Sequence, residues 1–222
     1  MPLAELQTTL GIMIASQAAA GHVPATTQAQ IASLPLTKDE LDWLALLPEA
    51  RGFKVTCDIQ RWWRETRLRE TARLTLAALE MEQAHAMLTA YLSAHLCNSL
   101  FFLPETLAFL SFVMRTIAHP HLSSVAQFER ALLLAREEAT HRLEENIQTP
   151  SSGDTIVIFA APPEEVLAAL LQGHTLPELR AERFPVLVSA ALPHFWRPLG
   201  TQASRLPLAQ RERTQTPCEE IC

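Results

Sequence analysis

The 222-residue sequence has little glycine, few cysteines and no long apolar run. Six glycines among many alanines and leucines favour helices, because glycine destabilises helix interiors. No apolar run reaches the roughly 18–20 residues that a helix needs to cross a bilayer, so we expect no membrane partner. The first residues include Glu5 and no basic stretch, which argues against a signal peptide. The four cysteines lack the spacing of a metal site or redox motif, and a reduced cytoplasm is the predicted location.

Sequence motifs of common catalytic sites are also missing. The chain has no nucleophile elbow, P-loop, dinucleotide fingerprint or Cys-x-x-Cys pair. His119-Pro120-His121 predicts a corner between two helices rather than a metal site, because the sequence places no third ligand beside it. Cys218 and Cys222 lie in a polar tail, and we assign them no role. The sequence therefore predicts no catalytic residue and no cofactor in this chain.

Charge is unevenly distributed along the sequence. The net charge is −6, yet residues 51–73 carry a cluster of lysine and arginine side chains. One basic helix in an acidic chain is a weak electrostatic footprint for nucleic acid, so we expect no nucleic-acid partner. The cluster instead favours a local anionic or protein partner.

The pattern predicts a mainly α fold in three parts. Residues 1–150 form a helical domain, residues 151–200 a small strand–helix–strand α/β unit, and residues 201–222 a mobile tail. Thr37 and Glu40 predict a capping box, and the basic helix is predicted over Asp58 to Thr71. After His119-Pro120-His121, Ser123 or Ser124 is predicted to cap the next helix.

The basic helix is a candidate partner interface. Arg61, Trp62, Arg64 and Arg67 combine the two residue types that dominate protein interfaces. A solvated helix surface with Arg–Glu pairs, such as Arg61–Glu65, explains the same pattern equally well. Both interpretations stay open at this point.

The two predicted strands are candidates for peptide binding. An exposed apolar strand edge is a liability unless it is covered or receives a peptide strand, and two strands alone are marginal. Pro162-Pro163 opens a helix between the strands, and Gly173 ends it. The candidate peptide-binding residues are Ile156, Val157, Ile158, Phe159, Val186, Leu187, Val188 and Ser189.

A different class of function is a ferritin-like di-iron carboxylate oxidase. Two Glu-x-x-His steps, Glu82–His85 and Glu138–His141, each place a carboxylate and an imidazole on one helix face. Such steps, with one further glutamate from each of two other helices, hold iron pairs in four-helix bundles. Glu105 is a candidate for one of those further ligands. Glutamate and histidine at this spacing are also common on solvated helices, and a scaffolding or regulatory helical domain is a third alternative.

The order of motifs resembles a known family, the partner subunits of multinuclear non-heme iron oxidative enzymes in ribosomal-peptide pathways such as those of methanobactin and 3-thiaglutamate. The resemblance spans about Leu36 to Pro198. Its residues are Gln60-Arg61-Trp62-Trp63-Arg64 with Arg67-Leu68, Leu103-Pro104-Glu105-Thr106 with Phe109-Leu110, His119-Pro120-His121-Leu122, Phe128-Glu129-Arg130-Ala131-Leu132, and Val186-Leu187-Val188-Ser189 running to Trp196-Arg197-Pro198.

The resemblance implies an accessory subunit without its own catalytic centre. Such a subunit forms a heterodimer with the iron enzyme through its helical part and holds a precursor peptide in a peptide-recognition element. The iron, and the oxidation at a peptide cysteine, belong to the partner enzyme. The acidic tail that ends in cysteine departs from the family pattern.

Overall fold

The computed structural model describes residues 3–33, 35–95, 102–145 and 153–200, most of which are helical. The predicted fold class, mainly α with a small α/β part near the C-terminal end, is confirmed. The helices are α1 (Leu3–Ala20), α2 (Ala25–Ala32), α3 (Lys38–Leu46), α4 (Arg51–Thr71), α5 (Arg73–Ala77), α6 (Met81–Ala94), α7 (Phe102–Thr116), α8 (Pro120–Glu145) and α9 (Pro163–Gln172). The strands are β1 (Thr155–Phe159), β2 (Phe184–Val188) and β3 (Trp196–Pro198).

Local sequence signals mark several of these helix ends. The Thr37 backbone N–H donates to the Glu40 carboxylate at 2.8 Å, and the Glu40 N–H donates back to the Thr37 hydroxyl, so the predicted capping box is confirmed. These hydrogen bonds from Thr37 lower the pKa of Glu40. Pro163 lies in the first turn of α9, and Gly173 ends that helix with a left-handed φ of 68°.

Two helix starts and one strand differ from the prediction. α4 begins at Arg51 rather than Asp58, and α8 begins at Pro120 rather than after a serine cap. Proline suits the first turn of a helix because that turn leaves its N–H without an intrahelical acceptor. The Ser124 hydroxyl donates to the Pro120 carbonyl at 2.9 Å, inside the helix. The short strand β3 was not predicted, because three residues are too few to show an alternating pattern.

The structure divides into two compact units. The first comprises Met1–Arg73 and Met81–Phe109, and the second comprises Leu74–Glu80 and the residues from Leu110 on. α8 packs against β1 and β2 and therefore belongs with the sheet, whereas the sequence predicted a boundary near residue 150. Residues 146–152, which contain the predicted boundary, and the predicted tail at 201–222 lie outside the described residues.

In the first unit α1 packs against α4 and α6. Every fourth residue at the start of α4 points inward, and Phe53 and Cys57 join the apolar core there. Burial raises the pKa of the Cys57 thiol, and the neighbouring Asp58 charge raises it further. A buried thiol with a raised pKa is a poor nucleophile, so Cys57 is a packing residue.

The second unit has two layers around one core. Its sheet has the order β1-β2-β3, with both pairs antiparallel. Phe128 of α8 lies at the centre, with its ring edge-to-face against Phe159 of β1 and Trp196 of β3. Val166 and Leu170 of α9 join the same core, so both helices cover one face of the sheet.

Two buried polar side chains tie this unit together. The Glu129 carboxylate accepts the backbone N–H groups of Leu74 and Thr75, at 2.8 and 2.9 Å, and so binds the first turn of α5. Burial nevertheless raises the pKa of Glu129, because desolvation outweighs these hydrogen bonds. The His121 ring Nε2–H donates to the Pro177 carbonyl at 2.8 Å, which makes the His-Pro-His corner a structural contact.

Candidate functional site

The strand edge available to a peptide belongs to β1. β2 lies between β1 and β3, so both of its edges are already occupied. The backbone N–H of Ser189, which follows β2, donates to the Phe195 carbonyl. The expectation that Val186–Ser189 receives a peptide strand is therefore wrong, because the backbone groups there are paired within the sheet.

Backbone alternation identifies which groups of β1 face outward. The Leu199 N–H donates to the Pro185 carbonyl, and Pro185 therefore faces β3. Because successive residues of a strand point their backbone groups to opposite sides, Val186 faces β1 and pairs with Val157. Ile156 and Ile158 then point their N–H and C=O groups away from β2. Within the ranges that the structure describes, no backbone partner is found for them.

This free edge has a defined end. The next outward-facing carbonyl, that of Ala160, accepts the Arg180 N–H at 2.8 Å. The Arg180 guanidinium also pairs with Glu165 at 2.9 Å, which holds the segment in place. The segment around Arg180 thus occupies the position where an added strand would continue past Phe159. An incoming strand can pair with Ile156 and Ile158 and must end beside Arg180.

The opposite edge of the sheet, on β3, is protected. β3 has only three residues, and Arg197 pairs with Leu187. Alternation places the Pro198 backbone on the outer side, where proline has no N–H to donate. Short strands and prolines at a sheet edge hinder the addition of a further strand. The two edges therefore differ: among the described residues nothing pairs with the outer edge of β1, which makes it the candidate edge for a ligand strand.

Side chains of β1 divide between the core and an open sheet face. Val157 and Phe159 are buried against the helices. Ile156 and Ile158 lie on the other face, where Ile156 is directly opposite Leu187 and Ile158 is 45% exposed. The predicted peptide-binding residues of β1 thus have two roles: Val157 and Phe159 anchor the strand, while Ile156 and Ile158 offer backbone and apolar side-chain surface.

The predicted partner interface on α4 is divided in the structure. Trp62 is exposed, and Arg61 and Arg67 are half-buried. Arg64 is only 3% exposed, and its Nε donates to the Glu105 carboxylate at 2.6 Å. Its Nη2 donates to the His95 carbonyl at 2.8 Å. Arg64 is thus a core residue of the first unit, which corrects its assignment to a surface interface.

Three other exposed residues of α4 were not assigned to this interface: Trp63 was named only among the residues of the resemblance, and Val55 and Ile59 were missed. Val55, Ile59 and Trp63 lie with Trp62 on one side of the helix, and all four are 48–59% exposed. Their spacing of i, i+4, i+7 and i+8 was the available signal, since it is the spacing of an apolar helix stripe. Trp62 and Trp63 contact edge-to-face, and the Arg67 guanidinium lies 5.5 Å from the Trp63 ring centre.

The di-iron alternative is not supported by the placement of its ligands. Glu105 is paired with Arg64, Glu138 is paired with Arg142 at 2.6 Å, and Glu82, His85 and His141 are exposed. His141 lies 3.5 Å from Glu137 on its own helix. Among the described residues, which include all five, no group of three or more His, Cys, Asp or Glu is arranged to hold a metal ion.

In comparisons with known proteins, no protein-family model, no curated protein and no solved structure matches this chain. None of the described helices is both long enough and apolar enough to cross a membrane.

Proposed function

We propose that this protein is a non-catalytic partner subunit that binds a ribosomally made precursor peptide along the free edge of β1. It presents a cysteine of that peptide to a separate, multinuclear iron-dependent oxidative enzyme. The observation that carries the peptide-binding part is the pair of outward-facing backbone groups at Ile156 and Ile158. The assignment of the iron and the chemistry to a partner is supported by the resemblance described above.

The geometry supports binding by strand addition. Ile156 and Ile158 together offer two N–H donors and two carbonyl acceptors to an added strand. Each such hydrogen bond contributes about 0.5–1.5 kcal/mol net, so the backbone alone accounts for modest affinity. Side chains at alternate peptide positions lie over the open face beside Ile156, Ile158 and Leu187, so we expect apolar residues at those positions.

Amide hydrogen exchange followed by NMR tests the free edge directly. In the free protein we expect fast exchange at the Ile156 and Ile158 amides, which face away from β2. We expect slow exchange at Val157 and Phe159, whose amides pair with β2. A bound peptide should slow the exchange of Ile156 and Ile158 specifically.

The peptide ligand for a second test is selected from a random library of ribosomally made peptides. Each peptide of the library is long enough to span β1. Ile158→Pro removes an outward N–H without breaking a bond to β2, and edge strands tolerate proline. Ile158→Ala keeps that N–H and is the matched control. We expect selected peptides to lose binding to Ile158→Pro, and to bind Ile158→Ala only somewhat more weakly, because that variant loses side-chain contact but keeps the backbone donor.

Peptides that bind both variants equally would contradict strand addition at β1. Protection of amides in the first unit only would place the peptide elsewhere. The same peptides can then be offered to a candidate iron enzyme with and without this chain. Oxidation of the peptide cysteine that does not depend on this chain would contradict the role of a presenting subunit.

A further inference from the structure

A connection between α9 and β2 passes beside the end of β1. Residues 178–183 of this connection belong to no helix or strand, and all six are exposed. On one side they follow Pro177, whose carbonyl accepts the His121 side chain at 2.8 Å, and His121 is only 2% exposed. On the other side they lead into Phe184, the first residue of β2. We call residues 178–183 the strap, because they join two fixed points.

Arg180 holds the strap against the sheet. Its backbone N–H donates to the Ala160 carbonyl at 2.8 Å, and its guanidinium donates to the Glu165 carboxylate at 2.9 Å. The guanidinium also lies 6.0 Å from the Phe184 ring centre. Within the described part of the chain, the hydrogen bonds and ion pairs of the strap all involve Arg180. One residue therefore fixes the strap at the edge of β1.

The contacts of Arg180 are weak enough to open. The Arg180 and Glu165 side chains are 48% and 49% exposed, and such an exposed pair shifts an equilibrium by at most about fivefold. The single backbone hydrogen bond to Ala160 adds a factor of about two to ten. Segments held by few, exposed contacts open locally while the rest of a protein stays folded. The strap therefore has an open state close in free energy to the closed state of the structure.

We propose that Arg180 sets the length of the peptide strand that β1 accepts, an inference that rests on the proposed function. With the strap closed, the Ala160 carbonyl is occupied, and a peptide pairs only with Ile156 and Ile158. With the strap open, the same alternation makes the Ala160 carbonyl a third outward-facing position on this edge. A longer peptide strand therefore binds only after Arg180 is released, and the closed strap favours short strands over long ones.

Amide hydrogen exchange of the free protein tests the role of Arg180 without any peptide. The Arg180 amide should be protected and those of Leu179 and Ala181 should not, because within the described residues only Arg180 has a backbone acceptor. Glu165→Ala removes the ion pair, and Glu164→Ala, which removes the neighbouring exposed carboxylate of the same helix turn, is the matched control. We expect Arg180 to exchange up to about fivefold faster in Glu165→Ala and at an unchanged rate in Glu164→Ala. Equal protection of Arg180, Leu179 and Ala181 in the wild type would overturn the proposal.

Peptides selected for binding to β1 are then extended by two valines, at one end or at the other. Only one of the two extended peptides reaches Ala160, and we expect it to expose the Arg180 amide, whereas the unextended peptide leaves that amide protected. Glu165→Ala should raise the affinity of this one peptide by the same factor that it adds to the Arg180 exchange rate. The two factors agree because a ligand that binds only the open state gains affinity in proportion to the population of that state. Glu164→Ala should change neither affinity.

Two results with bound peptides would overturn the role of Arg180. One is an Arg180 amide that stays protected with both extended peptides, and the other is equal affinity of both extended peptides for the wild type and Glu165→Ala. Failure of the proposed function has a different signature, since no peptide would then protect the Ile156 and Ile158 amides. That result would refute peptide binding and the role of Arg180 in peptide length together, even if the strap of the free protein responds to Glu165→Ala as expected.

Discussion

Removal of Arg64 should destabilise the first unit far more than removal of a similar arginine on the surface of the same helix. The Arg64–Glu105 pair is 2.6 Å long, with side chains only 4% and 10% exposed. Arg64→Met leaves the Glu105 carboxylate buried without its cation, and breaking a buried pair in this way costs about 3–5 kcal/mol. The lost bond to the His95 carbonyl adds about 1 kcal/mol.

The matched control is Arg69→Met. Arg69 pairs with Glu65 at 2.7 Å on the same helix, but both side chains are substantially exposed, and such pairs contribute at most about 1 kcal/mol. In a Trp196→Phe background, urea unfolding followed by tryptophan emission reports on this unit, because the remaining tryptophans, Trp43, Trp62 and Trp63, all lie in it. We expect a much lower unfolding midpoint for Arg64→Met and almost no change for Arg69→Met.

A double variant tests the mechanism behind that loss. Arg64→Met with Glu105→Leu removes both charges, and we expect it to recover most of the stability, because two apolar residues of similar volume replace a buried pair at little cost. Similar midpoints for Arg64→Met and Arg69→Met would refute the reasoning. So would a double variant as unstable as the sum of its single variants.

Three other predictions concern Glu129, the two faces of β1, and Cys57. Because burial raises the pKa of Glu129, its contribution to stability is complete below the ordinary value of 4.5 and is lost as pH rises through the raised pKa. Unfolding of the second unit, followed by circular dichroism at pH values from 4.5 upward, should show this loss of stability in the wild type. The same loss of stability in Glu129→Gln would rule out Glu129 as its cause. Phe159→Ala should lower the free energy of unfolding by about 3–5 kcal/mol and Ile158→Ala by less than about 0.5 kcal/mol, because only Phe159 is buried in the core. Equal urea midpoints for the two variants would contradict the assignment of these side chains to opposite faces of β1. Cys57 should react with iodoacetamide only after unfolding, as measured by mass spectrometry of the peptide that contains it. Rapid alkylation of Cys57 in the native protein would contradict its burial.

Much of the secondary structure could be predicted because its signals are local. Thr37 with Glu40, Pro163 and Gly173 mark helix ends through groups a few residues apart, and all three were interpreted correctly. The strands around Ile156 and Val186 were found from β-branched runs bounded by turn residues. The start of α8 was misplaced, because proline is compatible both with ending one helix and with opening the next.

The candidate site could be predicted only in part, because pairing between distant segments decides it. Both strands had the composition of a peptide-binding edge, but the short strand β3 made β2 the central one. Likewise, no local sequence signal distinguishes Arg64 from Arg61. Only the position of Glu105, 41 residues away along the chain, makes Arg64 a buried ion-pair residue.

The sequence by itself determined the helical character of this protein, its C-terminal strands and the concentration of arginine and tryptophan on one helix, because propensity, capping and periodicity act within a few residues. Tertiary structure alone decided which strand edge stays open, which arginine is buried and which glutamates are paired. Those outcomes depend on which groups meet across the fold, and a buried charge or an open strand edge is defined by its neighbours in space rather than in sequence.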